Sequence, residues 1–268
     1  MLRRIAALFL AVSGFAQGLC AESVRVLDLM PGGCAPLRQI ALQLALDGES
    51  GVDSVSVERP KNGVRAAIDE WAAGKADFIL LAEDRIPDDC GGRRRPLLCE
   101  AAGIYVNSTN PVRGVTSAQA RALLTAKRPV WQSLNGSAAD IQRIGVKSER
   151  GERETVTRML NLKPEECSGE IFRVGTMPEA VLLVSVNENA MGFGRLLPEA
   201  PASVKALAVD GAAPTLDGLK SGAYPLRKVY VLLEREPHGS AAAGRFAAAL
   251  ESADFAALIA ENGFFPVR

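Results

Sequence analysis

The chain has 268 residues, with 31 Lys and Arg against 31 Asp and Glu, one histidine, 48% hydrophobic and 23% charged residues, the figures of an ordinary globular protein of one large or two modest domains. Collagen-like, low-complexity and disordered classes are excluded, and a balanced charge whose longest cationic run is Arg93, Arg94 and Arg95 offers no field to hold nucleic acid. A histidine triad or a multi-histidine metal centre would have to be built around His238 alone, so histidine chemistry, resident metal and cofactor are not expected.

Met1-Leu-Arg-Arg gives a positive start, and Ile5 to Ala16 is a short apolar run interrupted by Ser13 and Gly14. This predicts a secretory signal peptide over residues 1–21, with Gly14-Phe15-Ala16 or Leu19-Cys20-Ala21 before the cleavage point. No later run approaches the roughly 20 apolar residues of a membrane span, so the expected place is the periplasm, without stable membrane insertion. Lipid attachment at Cys20 is disfavoured by Leu19, which stands where a small residue is needed. Export leaves Cys34, Cys90, Cys99 and Cys167 in an oxidising compartment, where four cysteines allow three pairings. Cys90 with Cys99 closes the shortest loop, leaving Cys34 with Cys167; a nucleophilic Cys34 would lack a nearby histidine base.

In chain order, Val24 to Leu29 reads as a strand, Pro31-Gly32-Gly33-Cys34-Ala35-Pro36 as a turn, and Leu37, Ile40, Ala41 and Leu44 as one face of a helix. Val52 to Val57 predicts a second strand. Asn62-Gly63 precedes Val64, Ile68 and Trp71 at helical spacing, and Gly74-Lys75-Ala76-Asp77 returns the chain to the apolar run Phe78-Ile79-Leu80-Leu81. That is βαβ logic. Further along, Gly103 to Val106 is strand-like, Thr116 with Gln119 and Thr176 with Glu179 read as capping boxes, Val229 to Leu233 as a strand, and Ser240 to Ile259 as an alanine-rich helix ended by Asn262-Gly263. The alternation predicts parallel or mixed sheets covered by helices.

Three helices start in loops suited to an anion. A helix start presents unpaired N–H groups and the positive end of a dipole, and Gly32-Gly33-Cys34, Asn62-Gly63 and Arg150-Gly151 before Glu152 are such starts. Lys147, Arg150 and Arg153 add cationic donors, arginine being able to grip an oxyanion through two parallel bonds. Each feature alone is ordinary turn geometry or a solvated charged face; their coincidence in one α/β chain is what points to an oxyanion.

Asn107-Ser-Thr-Asn-Pro-Val-Arg-Gly-Val-Thr-Ser-Ala-Gln-Ala, followed by Lys127-Arg-Pro-Val-Trp131, resembles the "NP…G(L/V)T…Q…I…G…W" stretch of the phosphate-binding proteins, periplasmic receptors of phosphate ABC transporters. Asn187-Glu-Asn-Ala-Met-Gly-Phe-Gly is similar to that family's "N…AIGY" turn. Val204 to Val231, with Asp210-Gly-Ala-Ala-Pro-Thr and Gly222-Ala-Tyr-Pro-Leu-Arg, is similar to its "vkaLaidGvaPt…i…G.YPl.R.lyly" segment, and Phe246 to Val267 to its closing helix and "G…P" end. The resemblance implies an α/β, two-lobed type II periplasmic-binding fold, each lobe a mixed sheet flanked by helices, with two crossover strands at the hinge. It implies lobes of residues 22–105 with 228–268 and of residues 108–225, the first crossing starting at Val106 and Lys228 to Leu233 returning. Glu83-Asp84 and Lys147 to Arg153 would then face one cleft, and a transporter permease is the implied partner.

The family's "R…GSGT(R)" at the second-lobe helix is replaced here by Lys147-Ser-Glu-Arg-Gly-Glu-Arg-Glu-Thr155. Aligning Arg153-Glu154-Thr155 with the family's "RET" puts Glu149, Arg150, Gly151 and Glu152 where "GSGT" stands; only Gly151 survives. Lys147, with a one-residue slip, takes the place of the family's contacting arginine, and the first-lobe "GS" becomes Gly33-Cys34. The ligand set is thus Gly33, Cys34, Asn62, Gly63, Asp84, Lys147, Arg150, Gly151, Glu152 and Arg153. In one reading Arg150 replaces the hydroxyl donors and phosphate, or another small oxyanion, still binds. In the other, Glu152 repels a dianion and the scaffold serves as a sensor or interaction protein with altered or lost binding. An enzyme using Asp84 and Glu152 as a carboxylate pair lacks an activated nucleophile, and no catalytic residue is assigned.

Overall fold

Strand and helix alternate from the start of the described chain. The computed structural model describes residues 22–47, 50–147, 152–167 and 170–267, so the expected signal segment lies outside the described residues. In order come β1 (Ser23–Asp28), α1 (Ala35–Leu46), β2 (Ser54–Glu58), α2 (Gly63–Ala72), β3 (Phe78–Ala82), β4 (Arg93–Asn107), β5 (Gly114–Val115), α3 (Ser117–Thr125), β6 (Gln142–Val146), α4 (Glu152–Met159), β7 (Phe172–Val174), α5 (Met177–Ser185), β8 (Ala190–Arg195), β9 (Val204–Ala206), β10 (Ala208–Val209), α6 (Leu216–Ser221), β11 (Arg227–Glu234), α7 (Ala241–Ala249) and α8 (Ala253–Glu261).

The main sheet runs β2-β1-β3-β11-β4-β8-β6-β7, with β9 also on β4. One strand serves two sets of partners. β4, 15 residues long, pairs with β11 from Arg93 to Ala101 and with β8 from Ala102 onward, both antiparallel. Each side of that switch repeats one topology: β1 lies between parallel β2 and β3, and β6 lies between parallel β7 and β8.

Strand periodicity explains the cores. In the first half, Val24, Val26, Phe78, Leu80, Tyr230 and Leu232 enter one cluster with residues of α1, α7 and α8. Their sequence neighbours Leu27, Ile79, Leu81, Val231 and Leu233 enter another with Ala67, Ile68 and Trp71 of α2. Successive side chains of a strand point to opposite faces, so continuous apolar runs are covered on both. The second half packs a single cluster around Tyr105, Trp131, Phe193 and Tyr224.

Buried charges tie elements together. Arg95, 4% exposed, donates from Nε and Nη2 to the two carboxylate oxygens of fully buried Glu234, at 2.8 and 2.9 Å, and from Nη1 to the Ala247 carbonyl at 2.8 Å. This joins β4, β11 and α7 through a two-bond pair of the geometry arginine favours. Arg143 donates to the Leu123 and Leu124 carbonyls at the end of α3, both at 3.1 Å, where a cation meets the negative pole of a helix.

Several sequence expectations are corrected. The single helix expected from Ser240 to Ile259 is two, because Ser252 Oγ accepts from the Phe255 N–H at 3.1 Å and starts α8 afresh. The short strand expected at Gly103 is the last part of β4. Thr116 and Gln119 form the full capping box. At Thr176 the box is re-routed: its hydroxyl accepts from the Glu179 N–H, but the Glu179 carboxylate accepts from Gly175 rather than from Thr176. Both expected disulfides are absent, all four cysteines being free. Cys34 and Cys99 sit in different core clusters, Cys90 packs on a third, and Cys167 lies against the second-half core, so neither expected pair shares a cluster.

Candidate functional site

In an open sheet of parallel strands, a crevice forms outside the strand ends where the chain order reverses. In the first half this lies at the ends of β1 and β3, and the loops there hold five of the expected residues. Gly33 has φ +82°, a conformation that favours glycine, and Arg38 covers the face where a Cβ would stand. Its N–H donates to the Met30 carbonyl at 2.9 Å. Cys34 is the residue before α1, and its N–H donates to Asp28 Oδ2 at 2.6 Å, while Met30 N–H donates to Asp28 Oδ1 at 3.0 Å. The two amides expected to face a solute therefore turn inward, that of Gly33 onto the Met30 carbonyl and that of Cys34 onto a carboxylate that is 1% exposed.

Asp28 is thus the resident anion of the α1 N-terminus, with Arg38 Nη2 at 3.6 Å. Burial raises its carboxyl above the ordinary range, against the two amides and the Arg38 and Arg59 charges, which lower it. The Cys34 thiol is pushed up to about 12, first by burial and then by the Asp28 charge, which makes it an inert core group. Asn62 and Gly63 open α2 at the same strand edge and are exposed; the Asn62 side chain caps nothing, and Gly63 has φ +79° with open space around it.

Asp84 follows β3 in the short 3-10 turn Glu83–Arg85 and pairs with Lys228 Nζ of β11 at 3.0 Å. Between these elements lies a cavity of about 160 Å³ lined by Glu83, Asp84, Arg227, Lys228 and Val229. It mixes two carboxylates, both from the 3-10 turn, with two cations, both from β11. From the second half, Lys147 directly follows β6, exposed, its N–H donating to the Val174 carbonyl at 2.8 Å. Arg150 and Gly151 lie outside the described residues. Glu152 and Arg153 open α4, and their side chains also lie outside the described set.

Sequence reasoning missed the group that joins α4 to the crossing strands. Glu100 of β4, 4% exposed, accepts from Thr155 Oγ1 at 2.8 Å, from Arg158 Nη2 at 2.7 Å and from the Tyr230 hydroxyl at 3.2 Å. Arg195 Nη2 lies 4.0 Å from the same carboxylate, and its Nη1 donates to the Asn262 carbonyl at 2.7 Å while the guanidinium stacks over Phe264. Burial, and then the Glu100 charge, hold the Tyr230 hydroxyl well above the ordinary tyrosine range, with Asp84 near enough to add to the effect. A single acid in an apolar strand, Glu100 between Cys99 and Ala101, was the available signal.

Among the described residues no group of His, Cys, Asp and Glu is placed to hold a metal ion, and no helix is long and apolar enough to cross a membrane. A family model described as a PBP superfamily domain matches residues 33–253. Among solved structures, the chain is similar to an ABC-type phosphate transport receptor from Vibrio cholerae, with TM-score 0.70, 20% identity, and 91% of this chain and all of that one covered. It is also similar to PstS from Borrelia burgdorferi, with TM-score 0.68, 14% identity, and 92% of this chain and 99% of that one covered. No curated protein matches it significantly. At these identities the structural likeness carries the fold.

Proposed function

The chain belongs to the PBP superfamily and has the type II periplasmic-binding fold, and we propose from this premise that it is an exported solute receptor that captures phosphate or a similar small oxyanion between two lobes. The observation that carries the proposal is the repeated crevice topology. β1 flanked by parallel β2 and β3, and β6 flanked by parallel β7 and β8, are joined edge to edge through β11 and β4. Two such strand edges on a shared strand supply what a closing cleft requires. The matched receptors, one described as a phosphate transport receptor, support the choice of ligand.

The proposed lobes are residues 22–105 with 228–268, and residues 108–225. The change of partner inside β4 at Ala101 and Ala102, and the return along β11, support this two-part division. The proposed ligand groups are those at Asn62, Gly63 and Asp84 in the first lobe and at Lys147 and the 150–153 segment in the second. A permease is the proposed partner, the periplasm the proposed location, and no catalytic step is assigned.

A second reading, altered or lost oxyanion affinity, is favoured by one observation. Asp28 already takes the N–H groups of Met30 and Cys34, which removes Gly33-Cys34 as a free anion cradle. Calorimetric titration of the full chain with inorganic phosphate separates the two: saturable heat is expected for the receptor, and its absence in a folded sample supports the second reading.

A further inference from the structure

We propose that Glu100 is the positioning residue of the crevice: its carboxylate pins α4 to the crossing strands, through Thr155 and through Arg158 of its last turn, and so sets how far the two lobes part. The proposal rests on the receptor reading above. Glu100 lies on the one strand that belongs to both halves of the sheet, one residue before β4 changes partners. Its donors come from both sides. Thr155 and Arg158 belong to α4, whose start is the second-lobe ligand segment in the receptor reading above, and Tyr230 belongs to β11. Arg195 extends the same contact from the end of β8 to Asn262 and Phe264, beyond α8.

Charge makes this arrangement depend on one group. Two guanidiniums share a single carboxylate, and the Nε atoms of Arg158 and Arg195 are buried without a hydrogen-bond partner among the described residues. Removing a partner from a buried ion pair leaves an uncompensated charge, a far larger change than loss of an exposed pair. Without the Glu100 carboxylate, α4 loses the Thr155 and Arg158 bonds that hold it to β4, and Arg158 loses its charge partner. A receptor whose binding-competent arrangement becomes less populated loses apparent affinity in proportion. Glu100 acts through α4 and need not touch the solute.

The test compares wild type with Glu100→Gln, which cancels the charge and leaves one acceptor oxygen, enough for Thr155 or Tyr230 but not for both, and with Glu100→Asp, which keeps the charge. Small-angle scattering without solute is expected to give Glu100→Gln a radius of gyration above that of wild type, itself about 18 Å for a compact chain of this length. Calorimetry with inorganic phosphate is expected to show at least tenfold weaker binding for Glu100→Gln, with Glu100→Asp recovering part of both. If Glu100→Gln does not fold, Thr155→Val and Arg158→Met, which each remove one donor and leave the carboxylate, carry the same expectation. Scattering profiles equal to wild type in the folded variants overturn the proposal and leave the receptor reading intact. Missing phosphate heat in wild type sinks the receptor reading, and the scattering comparison then still decides the role of Glu100.

Discussion

Asp28 concentrates the chemistry of the first half in one carboxyl group. Burial raises its pKa while two amides and Arg38 oppose the rise, so the folded chain keeps this proton to higher pH than the unfolded chain does. For such a group the stabilising contribution is complete below the unfolded value, about 3.9 for aspartate, and is lost as pH climbs through the higher folded value. Urea unfolding across that window should therefore show wild type losing stability, relative to Asp28→Asn, as pH rises. Parallel curves for the two proteins would show that burial of this carboxyl carries no linkage. At this scale the sequence was least legible. Gly33 and Cys34 had the right residue types in the right loop, but whether an amide faces solvent or a neighbouring acid depends on a contact across the Met30 to Gly33 turn, which no local pattern encodes. Glu100 was overlooked for a related reason, since its partners come from residues 55, 58, 95 and 130 positions away.

Elements were legible where local signals agree. Phe78 to Leu81 reads as a buried strand because its run is apolar on both faces, and Val24 to Leu29 because Arg25 and Asp28 are the only breaks in a run of valine and leucine; they lie within β3 and β1 but for Leu29, one residue beyond. The helical face of Val64, Ile68 and Trp71 falls inside α2. The failure at α7 and α8 has an identifiable cause: the alanine-rich composition favours helix throughout, so the break at Ser252 rests on a hydroxyl cap rather than on a glycine or proline. Ser252→Ala should cost about 1 kcal/mol, the usual worth of such a cap, read as a shift in the urea midpoint with unchanged slope. An unchanged midpoint would mean that packing of Phe255 and Leu258 alone starts α8. The strands β6 and β8 were not anticipated, since Gly145, Gly192 and Gly194 dilute the β-branched signal; close contacts with Phe193, Val184 and Met177 explain why glycine stands there.

At the scale of the whole molecule, the two lobes share more than a tether. β4 contributes backbone bonds to both sets of strands, and Arg95 with Glu234 anchors its first part as Glu100 anchors its middle. Neither half can lose its sheet without stripping a strand from the other. Thermal unfolding is therefore expected to give one cooperative transition, coincident by far-ultraviolet dichroism and by the fluorescence of Trp71, in the first half, and Trp131, in the second. Two separated transitions would show that β4 can serve one side alone. The place of β11 bears on how the chain is made. It lies between β3 and β4, yet it is the last strand to be synthesised. A nascent chain that has emerged only as far as Ser221 carries every strand of the second half, while the first has an empty slot through the middle of its sheet. Until residues 227–234 emerge, the amino-terminal strands have no completed sheet to hold them, so the earliest part of the chain is among the last to settle.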